Sequence, residues 1–305
     1  MVPKLLEAET DAAAPMLRLQ ESDRDWLMRL LKQEPEFNLF LIGDVENYGF
    51  SEPFQEIWAH FLSDKESEKA IDSIVLRYYT NFVVYSEHEN FDITPIIAIL
   101  KDRQVGMISG KKQVIDRLKP YLPGFSFSDT YMMKRPTLDS LSGNVEQSLA
   151  AVEPQSRRQE SLNKPQIELA KLKDVADLAA FVYGIDEFAV PNQTLAERTQ
   201  TLKRSLSSAG TRYVIIREQG RIVACAGTTA ENSQSAMVIS VATDPTFRRR
   251  GYATRLVSRL CSIHAEEGRE FLCLFYSNPA AGVIYRGLGF REIGIWVMVR
   301  PPKAN

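Results

Sequence analysis

The feature that most restricts the fold is a run of three strand-like stretches, Tyr213–Arg217, Arg221–Ala230 and Ala236–Thr243. It stops at Asp244-Pro245 and gives way to a helix. The first two stretches meet at Glu-Gln-Gly-Arg, where Gly220 suits a tight hairpin turn. The helix beyond carries Ala253, Leu256, Val257, Leu260 and Cys261 on one apolar stripe, and Gly268 closes it. A strand at Phe271–Tyr276, a short helix and a strand region at Phe290–Val299 follow. Ahead of the run, Ile167–Ala170 reads as a strand, and Asp174–Tyr183 and Leu195–Leu206 as helices. Thr194 and Glu197 supply a capping box for the second helix. This order predicts an α/β (α+β) fold, a mixed, mainly antiparallel sheet with helices packed on it.

The first half is patterned less sharply. Asp23–Lys32 reads as a helix with Trp26, Leu27, Leu30 and Leu31 on one face, and Ile57–Leu62 as a strand. Ile71–Tyr85 is rich in Val, Ile and Tyr and reads as strand with a turn at Thr80–Asn81. Ile93–Leu100 and Lys111–Tyr121 look helical, and Gln104–Ser109 and Thr130–Lys134 look like strands. Leu39–Ile42, Tyr48, Phe50 and Phe54 read as core. Gly106–Lys112 is not a phosphate loop, since its glycines are too close and no Lys-Ser/Thr pair follows. Residues 137–165 are polar and poor in aromatics. They read as a linker, with room for a short helix around Val145–Val152. The expected division is 1–136, a linker at 137–165, and 166–305.

Two domains fit a chain of 305 residues. A net charge of −2 gives no reason to expect nucleic acid or an anionic membrane as partner. Cys225, Cys261 and Cys273 sit in apolar runs without Cys-x-x-Cys spacing, as small core residues in a reducing compartment do. The start carries no leader-like apolar stretch, and no segment is apolar enough to span a bilayer. A cytoplasmic protein is expected.

Any phosphate site must then be local, and Arg248-Arg249-Arg250 is the densest basic cluster in its half. A helix start presents backbone N–H groups without intrahelical partners, together with the positive end of the helix dipole. Gly251 lets a phosphate approach the backbone, and Ala253 keeps the next turn narrow. The alternative is a solvated charge run, but arginines at a helix start are unfavourable without an anion.

A second constellation follows. Asn278 and Pro279 are a favoured N-cap and first helical residue, Tyr285 lies on the helix they start, and Gly289-Phe290 turn it into a strand. Together with Val-Ala-Thr-Asp-Pro and Arg-x-x-Gly-x-Ala, this resembles the GNAT superfamily of acyl-CoA-dependent N-acetyltransferases over roughly 166–300. The resemblance implies acetyl-CoA as acyl donor and no metal. It implies that Val241, Ala242 and Thr243 hold the pantetheine arm and polarise the thioester carbonyl. It assigns Arg248, Arg249, Arg250, Gly251, Tyr252, Ala253 and Thr254 to the pyrophosphate loop, Asn278 to the cofactor arm, and Tyr285 to protonation of the departing thiolate. One departure stands out: where some members place a glutamate base, this chain has Cys273. Asp186 or Glu187, or a water chain, would have to serve, and His264 reads as structural. The first half loosely resembles a degenerate copy of the same fold, expected to wall an acceptor groove or form a homodimer surface. The expected acceptor is a primary amine of a small molecule, amino acid or peptide. The rival reading is a non-catalytic acyl-CoA-binding sensor or structural protein.

Overall fold

The apolar spacing in each half is realised as an open sheet with helices laid on it. The computed structural model describes residues 15–62, 70–137, 165–188 and 193–302. Its chain contacts define two units, one of residues up to Met132 with Phe275–Ser277 and the chain from Glu292 on, the other of Met133–Leu274 and Asn278–Arg291.

In the first unit β1 (Leu17–Arg18) leads to α1 (Arg24–Leu31) and α2 (Leu39–Tyr48). Three strands follow: β2 (Gln55–Phe61), β3 (Ile71–Tyr78) and β4 (Asn81–Tyr85). Then come α3 (Thr94–Lys101), β5 (Met107–Lys111), α4 (Lys112–Leu118) and β6 (Ser126–Pro136). β2 and β3 pair antiparallel, as do β3 and β4, whereas β4 and β5 run parallel through Asn81↔Met107 to Val83↔Ser109. The turn between β3 and β4 falls one residue earlier than predicted, with Tyr79 in the left-handed region at φ 54°. The sequence reading missed α2: the unbroken Leu-Phe-Leu-Ile hides the helical period, yet Leu39, Leu41, Ile42 and Val45 are all buried.

The second unit repeats this order. β7 (Ile167–Leu169) leads to α5 (Val175–Tyr183) and α6 (Leu195–Ser207), then to β8 (Arg212–Glu218), β9 (Arg221–Thr229) and β10 (Ser235–Thr243). α7 (Tyr252–Glu266), β11 (Phe271–Tyr276) and α8 (Pro279–Gly287) follow, and β12 (Arg291–Arg300) comes last. β7–β8, β8–β9 and β9–β10 are antiparallel and β10–β11 parallel, so the sheet is mixed and mainly antiparallel, as its sequence predicts. The capping box at Thr194 and Glu197 forms, with the Thr194 Oγ1 accepting from the Glu197 N–H.

The last strand does not stay with the second unit. β12 pairs antiparallel with β5 through Trp296↔Lys111 to Val299↔Ile108, and Val297 and Val299 pack with Phe82, Ile108 and Ile115 in the first unit's core. A cut at 166–305 therefore separates β12 from the unit it completes. Val145–Val152 and most of the expected linker lie outside the described residues.

Candidate functional site

β10 is where the second unit opens. Its residues Ser235–Val238 pair with Phe271–Leu274 of β11, and that ladder ends at Val238↔Leu274. On its other edge β10 stays paired with β9 as far as Thr243↔Ala224, with a bulge between Ile239 and Ala242. Ser240, inside the bulge, has φ 51°. The Cys225 Sγ donates to the Ser240 carbonyl at 3.2 Å, and the Ser240 Oγ shares a 3.2 Å hydrogen bond with the Tyr213 hydroxyl. Val241, Ala242 and Thr243 thus lie on a stretch held by one neighbour and leaving the other. Such a stretch keeps main-chain N–H and C=O groups for a ligand.

The next eight residues turn the chain into α7. Asp244 starts the turn, its carboxylate accepting from the Thr246 N–H at 2.9 Å and the Thr246 hydroxyl at 2.6 Å. The Thr246 hydroxyl bond, with Arg221 and Arg248 nearby, holds the Asp244 carboxyl below the usual range. The three arginines then part company. Arg248 is a brace: its Nε donates to the Thr243 carbonyl at 3.2 Å and its second nitrogen meets Glu187 at 2.9 Å. Arg249 is exposed with φ 64°, and Arg250 stacks its guanidinium 4.7 Å from the Phe247 ring centroid.

Gly251 is the N-cap of α7 at φ 77°, and it caps nothing with a side chain. The first intrahelical bond runs from the Arg255 N–H to the Gly251 carbonyl, so the N–H groups of Tyr252, Ala253 and Thr254 point out of the helix start. A Cβ built at Gly251 meets nothing within 4 Å, so that backbone is open. Tyr252 departs from the expected ligand role in its side chain. It is buried, and its hydroxyl donates to Glu218 at 2.5 Å, leaving the backbone N–H as its offer to an anion. Leu256, Val257, Leu260 and Cys261 form the buried stripe read from the sequence.

Asn278 caps α8, its Oδ1 accepting from the Ala280 N–H at 2.9 Å. Seven residues on, Tyr285 is buried against Phe290, ring centroids 6.1 Å apart, and burial pushes its phenol up to about 12. Cys273 is fully buried in β11 opposite Met237. Glu187 is held below the usual carboxylate range, first by its own backbone N–H and then by Arg248, which makes it a weak base. Asp186 is exposed in a short helical turn. His264 is wholly buried, as a structural histidine is, and burial lowers it to about 4. It lies 3.3 Å from the Thr228 hydroxyl and 3.8 Å from Glu231. Glu231, His264 and Glu267 could be grouped as metal ligands by distance. Arg212 and Arg269, however, both pair with the two carboxylates, which are thereby engaged in an ion-pair network, while the His264 Nδ1 is buried without a hydrogen-bond partner.

Comparison with known proteins matches residues 209–292 to a family described as an acetyltransferase (GNAT) domain. No curated protein matches the chain. Among solved structures, a Drosophila protein is similar over 95% of this chain and 99% of its own, at 12% identity and TM-score 0.63. A GCN5-related N-acetyltransferase from Kribbella flavida is similar over 76% and 88%, at 17% identity and TM-score 0.52. A GCN5-related N-acetyltransferase-like protein from Streptococcus suis is similar over 92% and 98%, at 15% identity and TM-score 0.51. At these identities the likeness is one of fold.

Proposed function

We propose that the protein is an acyltransferase, its residues 209–292 matching a GNAT domain, and that it moves an acetyl group from acetyl-CoA to a primary amine. The observation that carries the reading is the uncapped start of α7: outward N–H groups, an open Gly251 and two exposed arginines at one place. These fit a pyrophosphate, because charge-assisted hydrogen bonds to phosphate are the strong ones. Arg249, Arg250 and the backbone of Gly251–Thr254 would hold it, with Arg248 bracing the turn from behind. Val241, Ala242 and Thr243 would hold the pantetheine arm, Asn278 would contact that arm, and their backbone N–H groups would polarise the thioester carbonyl.

The amine attacks that carbonyl as its neutral form and a tetrahedral oxyanion forms. Backbone donors aimed at the oxyanion are worth about 3 kcal/mol. As the C–S bond breaks, the ammonium nitrogen loses a proton and the sulfur gains one, leaving an amide and a thiol. A phenol held near 12 keeps its proton at neutral pH, so Tyr285 meets the sulfur as a donor. With Cys273 at the base position and Glu187 tied to Arg248, water is the favoured acceptor of the ammonium proton. Incubation with acetyl-CoA and an amine panel, with free thiol detected, tests the reading. Thiol release that depends on the amine supports it. Coenzyme A binding without release from any amine would turn it into the sensor reading, which the missing carboxylate at Cys273 favours.

A further inference from the structure

The side of the sheet that packs on α5 and α6 carries polar groups that the acyl-transfer reading leaves unused. Tyr213 and Ile215 face α5 and α6, packing with Val182, Leu202 and Ala242. Alternation sends Val214 and Ile216 to the other face, with Glu218, which receives Tyr252 of α7. The Tyr213 ring lies over β9 at Gly227, where a built Cβ would sit 2.8 Å from the ring. It crosses that strand to reach Ser240 in the bulge. Only glycine at 227 leaves this path open.

Arg198 of α6 stands on the same side. One guanidinium nitrogen donates to the Phe188 carbonyl at 2.6 Å, while its Nε is buried without a hydrogen-bond partner. Its charge is felt at Tyr213, whose phenol burial lifts to about 12 and Ser240 and Arg198 draw back. Among the described residues no carboxylate lies within ion-pair distance of Arg198, in contrast to Arg212, Arg217 and Arg269 of the same unit. Just before the first turn of α6, the Gln193 Oε1 is a second buried polar atom without a partner. A buried guanidinium N–H left unpaired is costly, and a ligand oxygen would complete it.

We propose that Arg198, backed by Tyr213 and Ser240 at the β10 bulge, binds a carboxylate of the acceptor, so that the acceptor is a small amino acid. The inference rests on the acyl-transfer reading. On that reading the donor would lie at the α7 start and the acceptor on the side of α5 and α6. The Gln193 Oε1, also without a partner, would be available to the acceptor's ammonium. The forked guanidinium suits a carboxylate, whereas a bare amine would leave it unpaired.

The test is steady-state thiol release from acetyl-CoA with three matched acceptor sets: free amino acids, their carboxamides and their decarboxylated amines. The wild type should favour the amino acids by about 100-fold or more in kcat/KM. Arg198→Gln should raise KM for amino acids about tenfold or more with kcat nearly kept, and leave the other two sets alone. Arg198→Lys should restore part of the preference. A role confined to bracing Phe188 would lower all three sets together and the thermal midpoint with them. That result, or a wild type indifferent to the carboxylate, overturns the proposal while acyl transfer stands. Coenzyme A binding with no release from any amine overturns both.

Discussion

Between β10 and α7 the chain reads Asp-Pro-Thr-Phe-Arg-Arg-Arg-Gly; between β4 and α3, at the same place in the order of elements, it reads Ser-Glu-His-Glu-Asn-Phe-Asp-Ile. Both turns are eight residues long and both feed a helix that crosses to a parallel strand. Their helix starts are opposites. At α7 three N–H groups are presented beside Arg249 and Arg250. At α3 the Thr94 N–H is taken by the Asp92 Oδ1 at 2.8 Å, Pro95 has no N–H, and Glu87 and Glu89 stand exposed nearby. The second helices differ as sharply. Asn278 caps α8, and Tyr285 lies seven residues on; Lys111 stands at the start of α4 without capping it, its ammonium bound to Glu34 at 2.7 Å, and seven residues on is the buried Leu118. One order of elements thus occurs twice, and among the described residues the anion-seeking turn occurs once.

The hardest test of this contrast is Tyr285. In Tyr285→Phe the ring still packs on Phe290, so stability and coenzyme A affinity should hold. Turnover should drop by about 10²–10⁴-fold, in kcat and kcat/KM together, as read by thiol release. A variant with near wild-type turnover would make Tyr285 as inert as Leu118.

Charge removal comes next. Arg249→Ala with Arg250→Ala should weaken coenzyme A binding about 100-fold by calorimetric titration, the scale of two phosphate contacts. Glu87→Ala with Glu89→Ala in the first unit should change nothing. Equal affinities in both pairs would return the arginines to a solvated charge run. Arg248 is left out because its loss would also free Glu187.

Acid should divide the units by a smaller amount. His264 is neutral in the fold with its pKa lowered to about 4, so the unfolded chain binds a proton below pH 6.5 that the folded chain refuses. Stability should fall by about 2–3 kcal/mol between pH 6.5 and pH 4. Glu267, held at about 2 chiefly by Arg212, adds a loss that begins as pH falls into the ordinary carboxylate range and continues toward its folded value. Denaturant melts at both pH values, with hydrogen exchange to tell the units apart, should show the second unit weakening first. A pH-independent midpoint would remove His264 from the account.

Gly251→Ala should have the smallest effect. The left-handed φ of 77° costs a residue with a Cβ about 1 kcal/mol, and nothing in the protein crowds the new methyl. Differential scanning should show a lowered midpoint of a few degrees. A larger fall in coenzyme A affinity than in stability would place the phosphates against that backbone; an unchanged affinity would move them away.

The second unit was legible because its signals are local. The hairpin at Gly220, the stripe from Leu256 to Cys261 and the cap at Asn278 each sit within one turn or one strand, and the structure has all three. What escaped depends on packing. Arg198 reads as a surface residue on a charged helix, and only the fold shows its Nε buried. The bulge at Ser240 has no residue signature, since serine is not a glycine or asparagine that announces a positive φ. The pairing of Arg248 with Glu187 joins residues far apart in the chain. Helix α2 was lost to the unbroken Leu-Phe-Leu-Ile at its start.

The placement of β12 bears on how the molecule is made. Val297 and Val299 are made some two hundred residues after Phe82, Ile108 and Ile115, yet they belong to the core that those residues begin to assemble. Until they arrive, β5 presents an unpaired edge along Ile108–Lys111, the kind of edge that recruits stray strands. The first unit therefore waits on β12, and a chain that stops before Arg291 would be expected to lose the first unit.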